Sequence, residues 1–291
     1  MNATIDNVKK GKKKLRVVLT GSGIRDDVNR AMNEVIPLIK DQAELILVDK
    51  NGKEDFSTIN ADLIILFGGD GSLINVAGRL KGNQVPVLGV NFGKFGFLAE
   101  YEFLEFLSDL NTILQGKFEI SERMMHKVAV NRAGVSIFES YALNDSVISR
   151  SHFSRIIKVS LEVNNQYCTR YHVDGVIIST PSGSTAHSLG AGGPIVHPTM
   201  DATIITPICP HTMSMRPLVL PGEFPIKLTL IEKTDTVALT IDGQNMQELK
   251  VGDIVNIKSA AEKMLLVVSG RRTFFDRLQK KLNWSGHSNI K

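Results

Sequence analysis

The chain has 291 residues, 43% of them hydrophobic and 22% charged, a balance that excludes disorder as the main state and leaves length for one or two cored domains. Its longest apolar runs, Leu63–Phe67 and Met264–Val268, fall far short of the ~20 residues of a membrane-spanning helix, and its lysine-rich start carries no apolar signal segment. A net charge of +4 and two cysteines, Cys168 and Cys209, imply neither a nucleic-acid partner nor a disulfide framework, so a cytoplasmic protein with no membrane or nucleic-acid partner is expected.

Residues 1–14 read as a basic, flexible arm. Lys9, Lys10, Lys12, Lys13 and Lys14 are followed by Arg16, with no aromatic residue between them to stack on bases. Residues 15–117 alternate short apolar runs with helical spacing. Leu15–Leu19, Glu44–Val48, Asp62–Phe67 and Val85–Val90 read as strands, mostly without polar alternation, as parallel strands covered on both faces require. Asp27–Ile39, Ser72–Leu80 and Glu102–Leu114 read as helices, the first ended or kinked by Pro37. Strand, helix, strand in this order implies an α/β domain with a parallel sheet.

Residues 118–269 change texture. Lys127–Asn131, Ile156–Val163, Tyr167–His172, Val176–Ser179, Ile226–Ile231, Val237–Ile241, Ile254–Lys258 and Met264–Val268 are short and strand-like, many of them separated by turns such as Asn164-Asn165 and Asp242-Gly243. This predicts an all-β sandwich or barrel. Residues 270–291 carry an amphipathic helix, Thr273–Leu282, expected to return to the first domain.

Three segments carry chemistry. The apolar run Leu63–Phe67 leads into Gly68-Gly69-Asp70-Gly71, with Ser72 as the expected N-cap of the next helix. Ligands of open parallel sheets bind at the carboxyl ends of strands, where glycines admit close approach and a helix N-terminus attracts anions. Either Asp70 is presented beside a phosphate or ribose, or it caps a tight turn. The second segment, Asp174 to Pro194, leaves a strand into a turn rich in small residues and hydroxyls, suited to a flat polar ligand. In the third, Asn144-Asp145 interrupts a strand-like run, either to fork onto two ribose hydroxyls or as a bulge. Gly21-Ser22-Gly23-Ile24-Arg25-Asp26 lacks the third glycine of a dinucleotide fingerprint, and no P-loop is present. The seven histidines and two cysteines have no zinc spacing, so no metal site is expected, and Cys209 with His211 reads as structural.

Taken jointly, these segments resemble the NAD kinase family, which phosphorylates the adenosine 2′-hydroxyl of NAD to make NADP. The resemblance runs through Gly68–Gly71, Gly93–Leu98, Asn144-Asp145, Ser179–Pro194, Pro207–His211 and Ile241–Gln244. It implies a Rossmann-like N-terminal domain and an all-β C-terminal domain, with NAD in the cleft between them, in homodimers or homotetramers. It assigns Asp70 as the base, with Gly71 beside NAD, while the residues themselves equally allow Asp70 to hold Mg²⁺ or to orient the hydroxyl; the backbone N–H groups of Gly68, Gly69 and Gly71 read as the phosphate-donor loop. It assigns Asn144 and Asp145 to the adenosine side, and Asp174, Thr185, Ala186, His187, Ser188, Leu189, Gly190 and Gln244 to further NAD contacts, with Arg155 and His172 near the ligand. ATP or polyphosphate is the implied donor, with Mg²⁺ arriving on the nucleotide. Asp145 stands where the family usually has Glu, His187 where it has Tyr, Gly190 where it has Ser and Phe95 where it has Leu. These departures bear on affinity and on the choice between NAD and NADH. Gly-Gly-Asp-Gly is shared with lipid and sphingoid-base kinases and phosphofructokinase-like enzymes, and an NAD sensor without turnover is the non-enzyme alternative.

Overall fold

The computed structural model describes residues 3–4, 14–21, 25–93, 96–150, 156–212, 214–232 and 236–284. The elements begin with β1 (Ala3–Thr4), β2 (Arg16–Gly21), α1 (Asp26–Gln42), β3 (Glu44–Asp49), β4 (Leu63–Phe67), α2 (Asp70–Leu80), β5 (Val87–Asn91), β6 (Tyr101–Glu102), α3 (Phe103–Leu114) and β7 (Glu119–Arg123). Next come β8 (His126–Arg132), β9 (Val135–Ala142), β10 (Asp145–Arg150), β11 (Ile157–Val163), β12 (Gln166–Val173) and β13 (Gly175–Ser179). A 3-10 turn (Ser182–Thr185) and α4 (His187–Gly190) lead to β14 (Ala202–Ile208), β15 (Leu218–Pro221), β16 (Ile226–Leu230), β17 (Val237–Ile241), β18 (Asn245–Leu249) and β19 (Ile254–Ser259). β20 (Met264–Val268) and α5 (Phe274–Leu282) follow. The chain forms two compact units, Met1–Glu122 with Leu265–Lys291, and Arg123–Met264.

The first unit is built on a sheet of order β1-β7-β20-β5-β4-β2-β3, in which β3, β2, β4, β5 and β20 run parallel and β6 pairs β5. β4 is buried along its whole length because both faces of a central parallel strand are covered. α1 buries Val28, Ala31, Met32, Val35 and Ile39, a single helical stripe. It runs on through Pro37 to Gln42, so the expected early stop does not occur: Val35 and Ile39 anchor the helix on either side of the proline. α2 starts at Asp70 with Gly69 as N-cap, two residues before the expected start, and Ser72 sits inside its first turn, its N–H donating to the Gly69 carbonyl at 3.0 Å. α3 opens on a reciprocal capping box between Glu102 and Glu105.

β7 and β20 belong to this sheet, although residues 118–122 and the strand Met264–Val268 fall in the all-β segment by sequence texture. The units therefore divide at Arg123 and Met264 rather than at 118 and 269. A five-residue apolar strand carries no local mark of which sheet will pair with it. The residues leading into α5 are fixed to α3 through Arg271 to Asp109 and Arg272 to Glu105. Of the predicted basic arm, Ala3–Thr4 pairs antiparallel with β7, and the rest up to residue 13 lies outside the described residues.

The second unit is a sandwich of two antiparallel six-stranded sheets, β15-β14-β13-β10-β17-β18 and β12-β11-β16-β19-β8-β9. Val130, Val159, Leu228 and Val255 of one sheet meet Ile148, Ile178, Ile205 and Leu239 of the other in the core. β8, β11, β16 and β17 alternate buried and half-buried positions, as one-sided strands do. β13 is buried throughout: Ile178 faces the sandwich core, and on the opposite face of this sheet Ser188 of α4 bonds Thr206 of the neighbouring β14.

Cys168 and Cys209 are both exposed and free. Their replacement together by serine is expected to leave folding and activity intact, measured by thermal melting and turnover. Zinc that copurifies with the native chain and is lost from this variant would overturn the expectation that no metal is held here.

Candidate active site

The first cluster lies in the α/β unit. β4 ends in Gly68, whose N–H donates to the Val90 carbonyl at 2.9 Å, and the chain turns at Gly69 into α2. Asp70 opens that helix, where the positive end of the peptide dipoles favours a carboxylate. Its oxygens are held by three successive main-chain donors: Phe97 N–H to Oδ2 at 2.7 Å, and Leu98 and Ala99 N–H to Oδ1 at 3.0 and 3.1 Å. Gly96 is obligatory there, because a Cβ would fall on Asp70 Oδ1. A carboxylate has about four lone-pair sites. Oδ1 uses two of its own and Oδ2 one, so Oδ2 keeps a site for an incoming hydroxyl. Among the described residues, nothing stands within 4 Å of a Cβ placed on Gly69 or Gly71.

The second cluster lies in the sandwich. β10 pairs with β13, placing Asp145 opposite Ser179. The corner before β10 is shaped by Asp242, which sits at φ +53° in the tight turn from β17 to β18. Its carboxylate accepts the N–H groups of Leu143, Asn144 and Asp145 at 2.8, 2.8 and 2.9 Å. From the other side, Thr180 N–H donates to the Asn144 carbonyl at 2.9 Å, the Thr180 hydroxyl donates to the Leu143 carbonyl, and Gly183 lies so close to Asn144 that no side chain would fit. Asn144-Asp145 and the Pro-Ser-Gly turn thus meet. The hairpin β11–β12 between them belongs to the other sheet, so they meet through β10–β13 pairing and not through the hairpin itself.

Two polar atoms at this corner lack partners among the described residues. Asn144 Oδ1 and Ser182 Oγ are buried without a hydrogen bond. Each such atom requires a physical account, and a hydrogen-bonding ligand is one that fits two of them at one corner. Burial and the neighbouring Asp242 carboxylate push Asp145 up to about 7, and burial also raises Asp242. A carboxyl raised in the folded state stabilises the fold while protonated. That contribution is full below its ordinary value of about 4 and is lost as pH rises through about 7. Relative to the native chain, Asp145→Asn is therefore expected to be more stable at about pH 8 and little changed at about pH 4, read from paired thermal melts. An equal difference at both pH values would show that Asp145 is not raised.

The remaining predicted residues divide. Thr185 is half-buried, and Ala186 and His187 are exposed on the 3-10 turn and the start of α4; Leu189 is half-buried and Gly190 exposed on the same helix. Ser188 is buried, its hydroxyl bonded to Thr206 Oγ1 at 2.8 Å, and so faces the sheet. Gln244 is exposed in the Asp242 turn, beside the Asn144 corner. Asp174 and His172 do not join this group. Asp174 precedes Gly175 at the far end of β13, about 16 Å along the chain from Ser179 at ~3.3 Å per residue. There it pairs with Arg150 at 3.0 Å. His172 lies on β12 in the other sheet. Arg155 lies outside the described residues. Asp242 and Gly96 escaped the sequence reading as working residues: the Asp-Gly turn and the glycine were visible, but not what each would face.

A parallel sheet that presents Gly-Gly-Asp-Gly at a strand end, in one chain with a sandwich holding an unsatisfied amide oxygen beside a buried carboxyl group, defines the class as a nucleotide-dependent phosphotransferase. Family models described as the ATP-NAD kinase N-terminal domain and the ATP-NAD kinase C-terminal domain match residues 12–118 and 143–269. The NAD kinase of Geotalea daltonii is 43% identical over 85% of this chain and 88% of its own length. That of Rhodopirellula baltica is 36% identical over 93% and 87%. The chain belongs to the NAD kinase family. The fold is shared with yeast NADH kinase solved with NADH, at TM-score 0.85 and 22% identity over 96% of this chain and 91% of that one. It is shared too with an Archaeoglobus fulgidus NAD kinase solved with ATP, at TM-score 0.73 and 23% identity over 91% and 98%.

Proposed function

We propose that the protein transfers the γ-phosphoryl group of ATP to the adenosine 2′-hydroxyl of NAD, releasing NADP and ADP. The observation that carries this reading is the Asp70 carboxylate, held by three N–H groups at the mouth of the Gly-Gly-Asp-Gly turn with one oxygen still able to accept a proton. Phosphoryl transfer needs positioning and charge neutralisation more than covalent help. Asp70 Oδ2 accepts the proton of the 2′-hydroxyl as its oxygen bonds to phosphorus. The main chain at Gly68, Gly69 and Gly71, with the first turn of α2, receives the donor's phosphates.

Asn144 and Asp145 take the ribose hydroxyls, which satisfies the buried amide oxygen. Thr185, Ala186, His187 and Gln244 contact the rest of NAD. Magnesium enters as part of the substrate, Mg-ATP. Among the described residues no helix is long and apolar enough to cross a membrane. A homo-oligomer in the cytoplasm completes the reading. The test is a coupled assay of NADP formed from NAD and ATP by the purified chain. Turnover with ATP supports it, and NAD binding without turnover would replace it with a sensor.

A further inference from the structure

The Asp70 cradle is held from behind by the chain's C-terminal segment. Phe97, whose N–H donates to Asp70 Oδ2, packs its ring against Phe274 at the start of α5, with centroids 6.5 Å apart. Ala99, whose N–H donates to Oδ1, is followed by Glu100, which is 4% exposed. Glu100 Oε1 forms an ion pair with Nη1 of Arg277, itself 5% exposed. Glu100 Oε2 accepts the N–H of Ser269 at 3.1 Å, and its main-chain carbonyl accepts from Arg272 Nη1 at 3.2 Å. On the opposite side Ala99 approaches Gly89 of β5 closely enough that an added Cβ there would stand 3.2 Å from it.

Burying an ion pair is a poor route to stability, because desolvation offsets the attraction and an apolar pair of similar volume serves as well. A carboxylate gripped on both oxygens does fix direction. Residues 97–100 are tied on one side to Asp70 and on the other to residues 269–277.

We propose that Phe274 and Arg277 are positioning residues for phosphoryl transfer: the Phe274 ring and the Arg277 guanidinium brace the 97–100 main chain and thereby set the orientation of the Asp70 carboxylate. The proposal rests on Asp70 as the group that handles the acceptor hydroxyl.

The test compares Phe274→Ala, Arg277→Met and Arg277→Lys with Arg271→Ala, a neighbouring arginine whose guanidinium pairs with Asp109 of α3 and with none of residues 97–100. Phe274→Ala and Arg277→Met are expected to lower kcat about tenfold, since small misplacements of a reacting group carry penalties of that order and above. KM for NAD and ATP should stay within twofold, and the 97–99 amides should exchange hydrogen faster. Arg277→Lys, which returns a cation to Glu100, should recover most of kcat, and Arg271→Ala should keep it. If Arg277→Met does not fold, Phe274→Ala, on a half-buried ring, carries the test with the exchange measurement. Unchanged kcat in Phe274→Ala, unchanged amide exchange, or a fall in kcat that Arg271→Ala shares would each overturn the brace. Asp70→Asn run in parallel separates the two readings. A near-native kcat there removes both, whereas its loss beside native kcat in the brace variants removes the brace alone.

Discussion

Asp70→Asn is expected to lower kcat by at least ~100-fold with little change in NAD affinity, because general-base contributions are of that size and act in the transition state rather than on substrate binding. The amide keeps one acceptor oxygen, which can still receive the Leu98 and Ala99 N–H groups. Its NH₂ group then faces the Phe97 N–H, donor against donor, where Oδ2 accepts at 2.7 Å. The variant should therefore also melt at a lower temperature, by the loss of one charge-assisted hydrogen bond and the strain of the mismatch. Steady-state kinetics with NAD titration separates these effects. Native kcat in a destabilised variant would leave Asp70 as a purely structural acceptor for the 97–99 loop.

Asp145→Ala is expected to weaken NAD binding by ~1.5–3 kcal/mol, the usual worth of a charge-assisted hydrogen bond. The substitution should not weaken the free protein at neutral pH, since it relieves repulsion with Asp242 and removes a buried carboxyl that burial disfavours. Affinity and stability then move in opposite directions, a pattern expected where a group is kept for its ligand. Binding of an ATP analogue should change much less, because that ligand is expected at the Gly68–Gly71 turn. Thr185→Ala should share the direction of the NAD effect. Calorimetric titration of both ligands against both variants decides the matter. Unchanged NAD affinity in both, or equal losses for both ligands, would show that the corner and the turn do not hold one NAD molecule.

Much of this architecture was legible before any coordinates. Leu63–Phe67 without polar alternation had to be a strand covered on both faces, and it is the central β4, buried end to end. The Thr273–Leu282 stretch, with its charged and apolar faces, had to be a surface helix, and it is α5. The Gly-Gly-Asp-Gly punctuation after a buried run announced a strand end open to a ligand, whatever Asp70 did there. These features are local. A period, a cap or a turn is written within a few neighbouring residues, so composition and spacing decide it.

What surrounds the chemistry is not local. Asp70 finds its three donors 27 to 29 residues further along. Asn144 and Asp145 take their shape from Asp242, nearly a hundred residues away, whose Asp-Gly turn announces a hairpin but not the three amides its carboxylate will meet. Sheet membership was equally hidden: β20 reads like its neighbours in the sandwich yet pairs beside β5, and β11–β12 crosses to the other sheet while β10 and β13 close the site. Residue types and short spacings, which are sequence properties, determined the fold class and the chemical groups available. Partner choice and strand register arise from the simultaneous packing of distant segments, and for that reason the tertiary structure alone decided which groups meet and which of their lone pairs remain for a substrate.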